Sequence, residues 1–186
     1  MPALSDRRKG DRREIVAFLG ALCLFLSAVE YLIPKPVPFF RLGLANLPLL
    51  VGLTFLSPGD LALVLLLKVA GQGLVNGTLA SYVFVFSAAG STASVLAMAL
   101  LYRLGGRRIS LVGVSLGGAM ASSVTQVALS VTFVFGSSAR IIAPLFIISG
   151  VVTGLIIGLF SARFSANSRW LAAVKARYRG GTEAVS

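Results

Sequence analysis

Apolar residues fill six long stretches of this chain, and only short polar segments separate them. Each stretch is close to the ~20 helical residues that cross ~30 Å of hydrocarbon. Lipid offers the backbone no hydrogen-bond partners, so a segment inside it must satisfy its own peptide groups, as a helix does. The pattern therefore predicts an all-α membrane protein, a six-transmembrane-helix bundle. The predicted spans are residues 15–33, 39–57, 61–81, 82–101, 109–135 and 141–160.

Helix-breaking and helix-capping residues between the stretches support this division. A proline-rich run at 34–38 predicts a stiff hairpin after the first helix. Ser57 followed by Pro58 and Asp60 has the pattern of a helix start, with Ser57 as the cap. After the sixth stretch, apolar residues fall on one face and predict an interfacial amphipathic helix over residues 161–179, followed by a disordered tail over 180–186.

Composition excludes a water-soluble protein with an ordinary polar surface. Hydrophobic residues make up 56% of the 186 residues, charged residues only 12%, and the mean hydropathy is +0.91. The predicted loops leave no room for a soluble catalytic module. If the protein uses energy, another subunit is expected to supply it.

The formal net charge of +11 is concentrated at one predicted side of the membrane. Most basic residues lie in the N-terminal segment 1–14, after residue 160, or between the fourth and fifth stretches. The positive-inside rule makes that side cytoplasmic, with both termini there, in the cytoplasmic (inner) membrane. Attraction to anionic membrane lipid explains the basic ends, so no nucleic-acid partner is expected.

Several kinds of chemistry are excluded by residues that the chain lacks. Cys23 is the only cysteine and there is no histidine, which excludes an intramolecular disulfide, a Ser-His triad and a histidine metal site. Of the six acidic residues, only Glu30 falls in a predicted span. We therefore expect no cofactor, no metal and no enzymatic activity.

Lys68 is the most informative single residue. It lies ~12 Å into the third stretch, where a lysine costs ~2.5–3.5 kcal/mol on insertion scales. Gln72 and Asn76 follow at four-residue steps and share its helical face. The three side chains either line a binding cavity, or Lys68 extends to the headgroups while the amides join helices.

A second polar stripe runs along the fifth stretch through Ser115, Ser122, Gln126 and Ser130. These residues could face Lys68 across the bundle. Small hydroxyl residues also join membrane helices without any binding role, so both interpretations are open.

Two further groups of residues carry hypotheses. Arg41, with Lys35 and Glu30, sits around the proline hairpin, where it could pair with Glu30 or guide an anionic solute to the mouth. Asn46 is expected to point into the bundle. Ala17 and Ala21 form a small-x-x-x-small pair suited to close contact with another helix.

Together, segments 33–36 and 41–46, Lys68, Gly118 and Gln126 resemble the Gx transporter family, also labelled heptaprenyl diphosphate synthase component I. The resemblance covers about residues 15–160. That family is similar to the substrate-binding S components of energy-coupling-factor transporters, six-helix proteins that dock on an ATPase-driven membrane module. The resemblance implies docking through Ala17 and Ala21. Ser122 and Ser123 depart from it, since they occupy the place of a usual His-Asn pair.

We therefore expect a substrate-binding transport component for a small anionic or amphiphilic solute. Lys68, Gln126, Asn46, Gln72, Asn76 and Arg41 are its predicted binding residues. ATPase and coupling membrane subunits are its expected partners. The alternative is a non-catalytic membrane subunit that anchors or assists a prenyl diphosphate synthase or a redox complex.

Overall fold

The computed structural model describes residues 4–34 and 43–182, and all the regular elements in these ranges are helical. The seven α-helices are α1 Leu4–Leu32, α2 Leu47–Gly52, α3 Pro58–Val75, α4 Tyr82–Gly105, α5 Leu111–Ser130, α6 Ala139–Asn167 and α7 Arg169–Thr182. A 3-10 turn, Leu44–Asn46, precedes α2, and a π-helical turn, Val131–Phe135, extends α5.

Five helices are long and apolar enough to cross a membrane, which confirms a multi-pass helical protein. They correspond to five of the six predicted spans, although α3 ends at Val75 rather than at the predicted residue 81. The prediction of one continuous helix over 39–57 is wrong for its described part, because α2 has only six residues and turns follow it. Pro48 near the start of α2 has no amide proton, so it cannot donate the hydrogen bond that would extend this helix towards the preceding residues. All but its first residue are buried, and burial in protein is where membrane proteins tolerate irregular backbone.

Polar contacts show that α1 and α3 begin at the same end of the bundle. Arg12 forms a two-pronged ion pair with Asp60 in the first turn of α3, with nitrogen–oxygen distances of 2.6 and 3.0 Å. The chain must therefore return between Leu32 and Pro58. The segment from Gly43 to Ser57 is the described part of that return, although most of it is not regular helix.

The last helix joins the same end. Tyr178 donates a hydrogen bond to Asp60 and accepts one from the backbone amide of Ser57 at 2.9 Å. Arg177 also pairs with Asp11 and Glu14 of α1. The described start of α1 and α7 thus lie at one end of the molecule, which we call the terminal end.

Two boundaries differ from the sequence-based expectation. The segment assigned as a basic N-terminus is helical from Leu4 onward, continuous with the first span. At the other end, α6 continues to Asn167, and the chain turns at Ser168 rather than near residue 160. Residues 180–182 of the predicted tail belong to α7, and 183–186 lie outside the described residues. Leu171 and Tyr178 are buried, so α7 packs on protein with its apolar face.

The closest helix pair, α5 and α6, is held together by glycines. A Cβ atom on Gly154 would lie 2.7 Å from the Cβ of Ala119, and one on Gly158 would lie 2.8 Å from the Cα of Val112. Both distances are shorter than real carbon contacts, so these positions require glycine. Gly150, Gly154 and Gly158 repeat at four-residue steps, the spacing known to bring membrane helices together.

Candidate functional site

The predicted lysine is buried within a polar cluster. Lys68 lies about ten residues into α3, or ~15 Å along its axis, and only 2% of it is exposed. Its Nζ donates hydrogen bonds to Asn46 Oδ1 and to Ser91 Oγ, the latter at 2.7 Å. Asn46 Nδ2 in turn lies 3.3 Å from Ser94 Oγ. The ammonium is therefore solvated by side chains from the irregular segment and from α4, rather than by headgroups.

The backbone around Asn46 explains how it reaches Lys68. Gly43 has φ of +84°, a conformation that side-chain-bearing residues rarely adopt. The 3-10 turn then places Asn46 immediately before α2, as its N-cap residue, without a side-chain bond to the helix. The amide is free of any capping role, and both of its polar atoms face Lys68 and Ser94.

Two small voids are lined by Asn46. The larger has a volume of ≈20 Å³ and the smaller ≈10 Å³, so each has room for about one water molecule. Gly43, Asn46, Ser122 and Gln126 line both voids. Only the smaller void is lined by Lys68 and Glu30, the latter 3% exposed. In this conformation the site is closed.

Several buried polar atoms around the cluster have no hydrogen-bond partner. Gln126 Nε2 donates to Ser122 Oγ at 3.1 Å, but its Oε1 has none. Ser87 Oγ, which belongs to the lining of the smaller void, also has none. Neither amide atom of Gln72 is bonded, although that residue is only 2% exposed. Each such group costs roughly 1–3 kcal/mol, so these atoms are available to water or to a solute.

The structure brings together three of the six predicted binding residues, namely Lys68, Asn46 and Gln126. Gln72 is buried one helical turn beyond Lys68 but does not line either void. Asn76 is not part of the cluster, because α3 ends at Val75 and Asn76 is its C-cap residue. Arg41 lies outside the described residues, as does Lys35.

The proposed docking pair is accessible. Ala17 and Ala21 are both exposed on α1. Ala17 lines a groove of ≈480 Å³ between α1 and α3, together with Leu63 and Leu67.

Sequence reasoning missed the serines of α4. Ser91 bonds Lys68 and Ser94 bonds Asn46, and both are at most 5% exposed. A signal was present, because Ser87, Ser91 and Ser94 recur on one helical face around Gly90. A Cβ atom on Gly90 would lie 3.0 Å from Ser122 Oγ, so glycine there lets α5 approach the cluster.

The serines of α5 divide between two roles. Ser115 donates to the Gly154 carbonyl at 2.8 Å and Ser123 to the Phe146 carbonyl at 2.9 Å, so both join α5 to α6. Ser130 bonds the carbonyl of its own helix at Gln126. Only Ser122 directs its hydroxyl to the site glutamine. Within the stripe, Ser115 and Ser130 therefore make helix contacts, whereas Ser122 and Gln126 line both voids.

Chemically, the cluster offers one cation, one carboxylate and several neutral amide and hydroxyl groups. Such a set binds by charge and hydrogen bonding. The charge of Lys68 favours a negative group, while the unbonded oxygen of Gln126 can accept a hydrogen bond from a donor.

Comparison with known proteins gives one match. Neither the curated proteins nor the solved structures contain a significant match to this chain. A family model described as heptaprenyl diphosphate synthase component I matches residues 19–164, which include Lys68, Asn46 and Gln126. That stretch is most of the chain and all of the polar cluster, so the chain belongs to the heptaprenyl diphosphate synthase component I family.

Proposed function

We propose that this protein is the substrate-binding membrane component of a transporter, and that it holds a small anionic or amphiphilic solute beside Lys68. The observation that carries the proposal is a lysine buried at mid-depth among side chains that leave further polar atoms unbonded. A membrane helix tolerates such a residue at a cost of several kcal/mol, and residues of this kind commonly mark solute pathways.

Binding requires the closed site to open, because the two voids are each water-sized. The element suited to move is the segment from Gly43 to Gly52. It contains one 3-10 turn and one short helix, so it has fewer helical backbone hydrogen bonds to break than the long helices around it. Displacing Asn46, which lines both voids, would enlarge them and let Lys68 Nζ donate to a solute instead of to Asn46.

The test is native mass spectrometry of protein extracted gently from its own membrane. We expect wild-type protein to carry a small molecule and Lys68→Met to lose it, because methionine is unbranched and of similar length but carries no charge. Thr125→Ala is the control, since Thr125 bonds its own helix and lines neither void. Retention of the same molecule by folded Lys68→Met protein would disprove the site.

The chemistry of the solute can be tested in the same way. Glu30 lines the smaller void with Lys68, so a solute would meet one positive and one negative group. Adding anionic and zwitterionic solutes of equal size distinguishes the contribution of Lys68 from that of Glu30. Preference for the anion that disappears in Lys68→Met supports the proposal.

Partner subunits form the second part of the proposal. The resemblance to energy-coupling-factor S components suggests docking of an ATPase-driven membrane module on Ala17 and Ala21. Tryptophan at either position should abolish co-purification of such subunits while leaving the monomer folded, because it would fill the small-residue surface. Ala128→Trp, at an exposed position of α5, is the matched control.

A second candidate function follows from the name of the family, which refers to a synthase component. In that case, the protein would anchor or assist a prenyl diphosphate synthase without catalysing the reaction. Co-purification with a soluble synthase and an empty site would favour it. An ATPase pair and a bound solute would exclude it.

A further inference from the structure

A cavity much larger than the two voids lies on the other side of α1 from the groove that Ala17, Leu63 and Leu67 line. This lipid groove, as we name it, has a volume of ≈690 Å³ and runs between α1 and α6, with α2 as its floor. Its walls are almost wholly apolar. They include Phe18, Leu22 and Leu26 of α1, which share one helical face, and Phe160 and Phe164 of α6. None of the polar-cluster residues lines it.

The length of the groove matches one leaflet of a bilayer. Its lining on α1 extends from Glu14 to Leu26, about 18 Å along the helix axis. The hydrocarbon core of a bilayer is ~30 Å thick, so one leaflet contributes ~15 Å. A transmembrane helix of a partner would need a groove of nearly twice this length, whereas a lipid chain needs only this much.

The groove ends where the chain is aromatic and basic. Trp170 lines its terminal end, half exposed, with its ring 5.5 Å from that of Phe18. Tryptophan prefers the level of the headgroups, so this ring marks the interface. The sequence of α7 contains four basic residues and no acidic one.

The arginines at this end have different surroundings. Arg177 pairs with Asp11 and Glu14, which neutralise it. Arg163 and Arg169 are exposed and adjoin the lining residues Phe164 and Trp170 in the sequence. Their charge complements a negative headgroup located beside Trp170.

From these features we propose that the lipid groove binds one acyl chain of an anionic phospholipid from the leaflet at the terminal end, with its headgroup between Arg163 and Arg169. The site is separate from the polar cluster and does not depend on the transport proposal. Apolar contact along α1 and α6 holds the chain, and the arginines select the charge of the headgroup.

The chain contains a single tryptophan, Trp170, which makes the groove directly observable. The protein is reconstituted in phosphatidylcholine bilayers with a small fraction of phosphatidylglycerol carrying brominated chains, which quench tryptophan on contact. We expect saturable quenching, stronger than with brominated phosphatidylcholine at the same fraction. Each basic residue near the surface contributes a preference of roughly fivefold, so one to two arginines at the headgroup correspond to a preference of roughly five- to 25-fold.

Two sets of variants separate the chain from the headgroup. Leu22→Phe narrows the groove and should reduce quenching by both lipids, whereas Leu66→Phe, at a lipid-exposed position of α3, should not. Val174→Phe serves the same purpose from α7 if Leu22→Phe fails to fold. Arg163→Gln with Arg169→Gln should abolish the preference for phosphatidylglycerol alone.

Two results would overturn the proposal. Equal, unsaturable quenching by both lipids, unchanged in Leu22→Phe, would mean that only bulk lipid touches Trp170. If neither brominated lipid quenched Trp170, protein would cover the groove, either a second copy or a partner. Loss of solute binding in Lys68→Met has no bearing on either result.

Discussion

At the scale of single residues, the site is defined by which buried polar atoms are bonded and which are not. Lys68 and Asn46 bond each other and two serines of α4. Gln72, equally buried, has neither amide atom bonded. Since a buried unbonded group costs stability, Gln72 is retained at an energetic disadvantage in the closed conformation.

Gln72→Met should therefore stabilise the protein. Methionine has a similar shape and no hydrogen-bonding groups, so the variant removes a penalty of roughly 1–3 kcal/mol. Thermal unfolding in detergent, without added solute, measures the effect as a rise in Tm. The control is Gln126→Met, which also loses a bond to Ser122 and should gain less. Destabilisation by Gln72→Met would show that the amide holds a bound group.

At the scale of elements, the bundle combines one very close helix pair with one broken segment. Glycines on α6 let α5 approach until the serine hydroxyls of α5 reach α6 carbonyls. In the broken segment, α2 is buried at every residue except Leu47, while the turns on either side of it are mostly half-buried. The rigid pair thus provides one wall of the site, and the irregular segment provides Asn46.

Gly158→Ala tests the close pairing of α5 and α6. The added carbon would lie 2.8 Å from the Cα of Val112, and backbone cannot move aside as a flexible side chain can. We expect a loss of about 1–3 kcal/mol, seen as a lower Tm in detergent. Gly10→Ala is the control, because it has open space and replaces a helical glycine, so it should be neutral or slightly stabilising. Equal Tm shifts for the two variants would refute the steric argument.

At the scale of the whole molecule, the contacts at the terminal end determine the path of the chain. Arg12, Asp60 and Tyr178 connect α1, α3 and α7 through hydrogen bonds. Both ends of the described chain therefore lie on one side, the side on which the basic residues concentrate. The positive-inside rule then predicts that this side is cytoplasmic.

This orientation can be tested with a matched pair of cysteines after Cys23→Ser removes the only native one. Ala80 follows the far end of α3, while Ala176 lies on α7, and both are exposed. In spheroplasts, Ala80→Cys should react with a membrane-impermeant maleimide, whereas Ala176→Cys should react only after lysis. The reverse pattern would show the opposite orientation. Reaction of both cysteines in intact spheroplasts would contradict a cytoplasmic location of α7.

The sequence by itself determined the class of this protein and its most informative residues. Hydropathy has a length scale set by the bilayer, so the long apolar helices could be predicted closely. A lysine within such a helix is costly wherever it packs, so Lys68 could be recognised without a structure. Family membership also follows from sequence, because the resemblance rests on segments that the family model matches.

Only the tertiary structure decided what surrounds those residues. The break of the second stretch at α2 depends on burial by neighbouring helices, which makes irregular backbone tolerable in a membrane. The hydrogen bond from Lys68 to Ser91 depends on how α3 and α4 are rotated about their axes. Asn76 lies outside the polar cluster because of where α3 ends. The lipid groove arises between elements distant in the chain. Each of these features depends on contacts between helices, which one-dimensional periodicity does not encode.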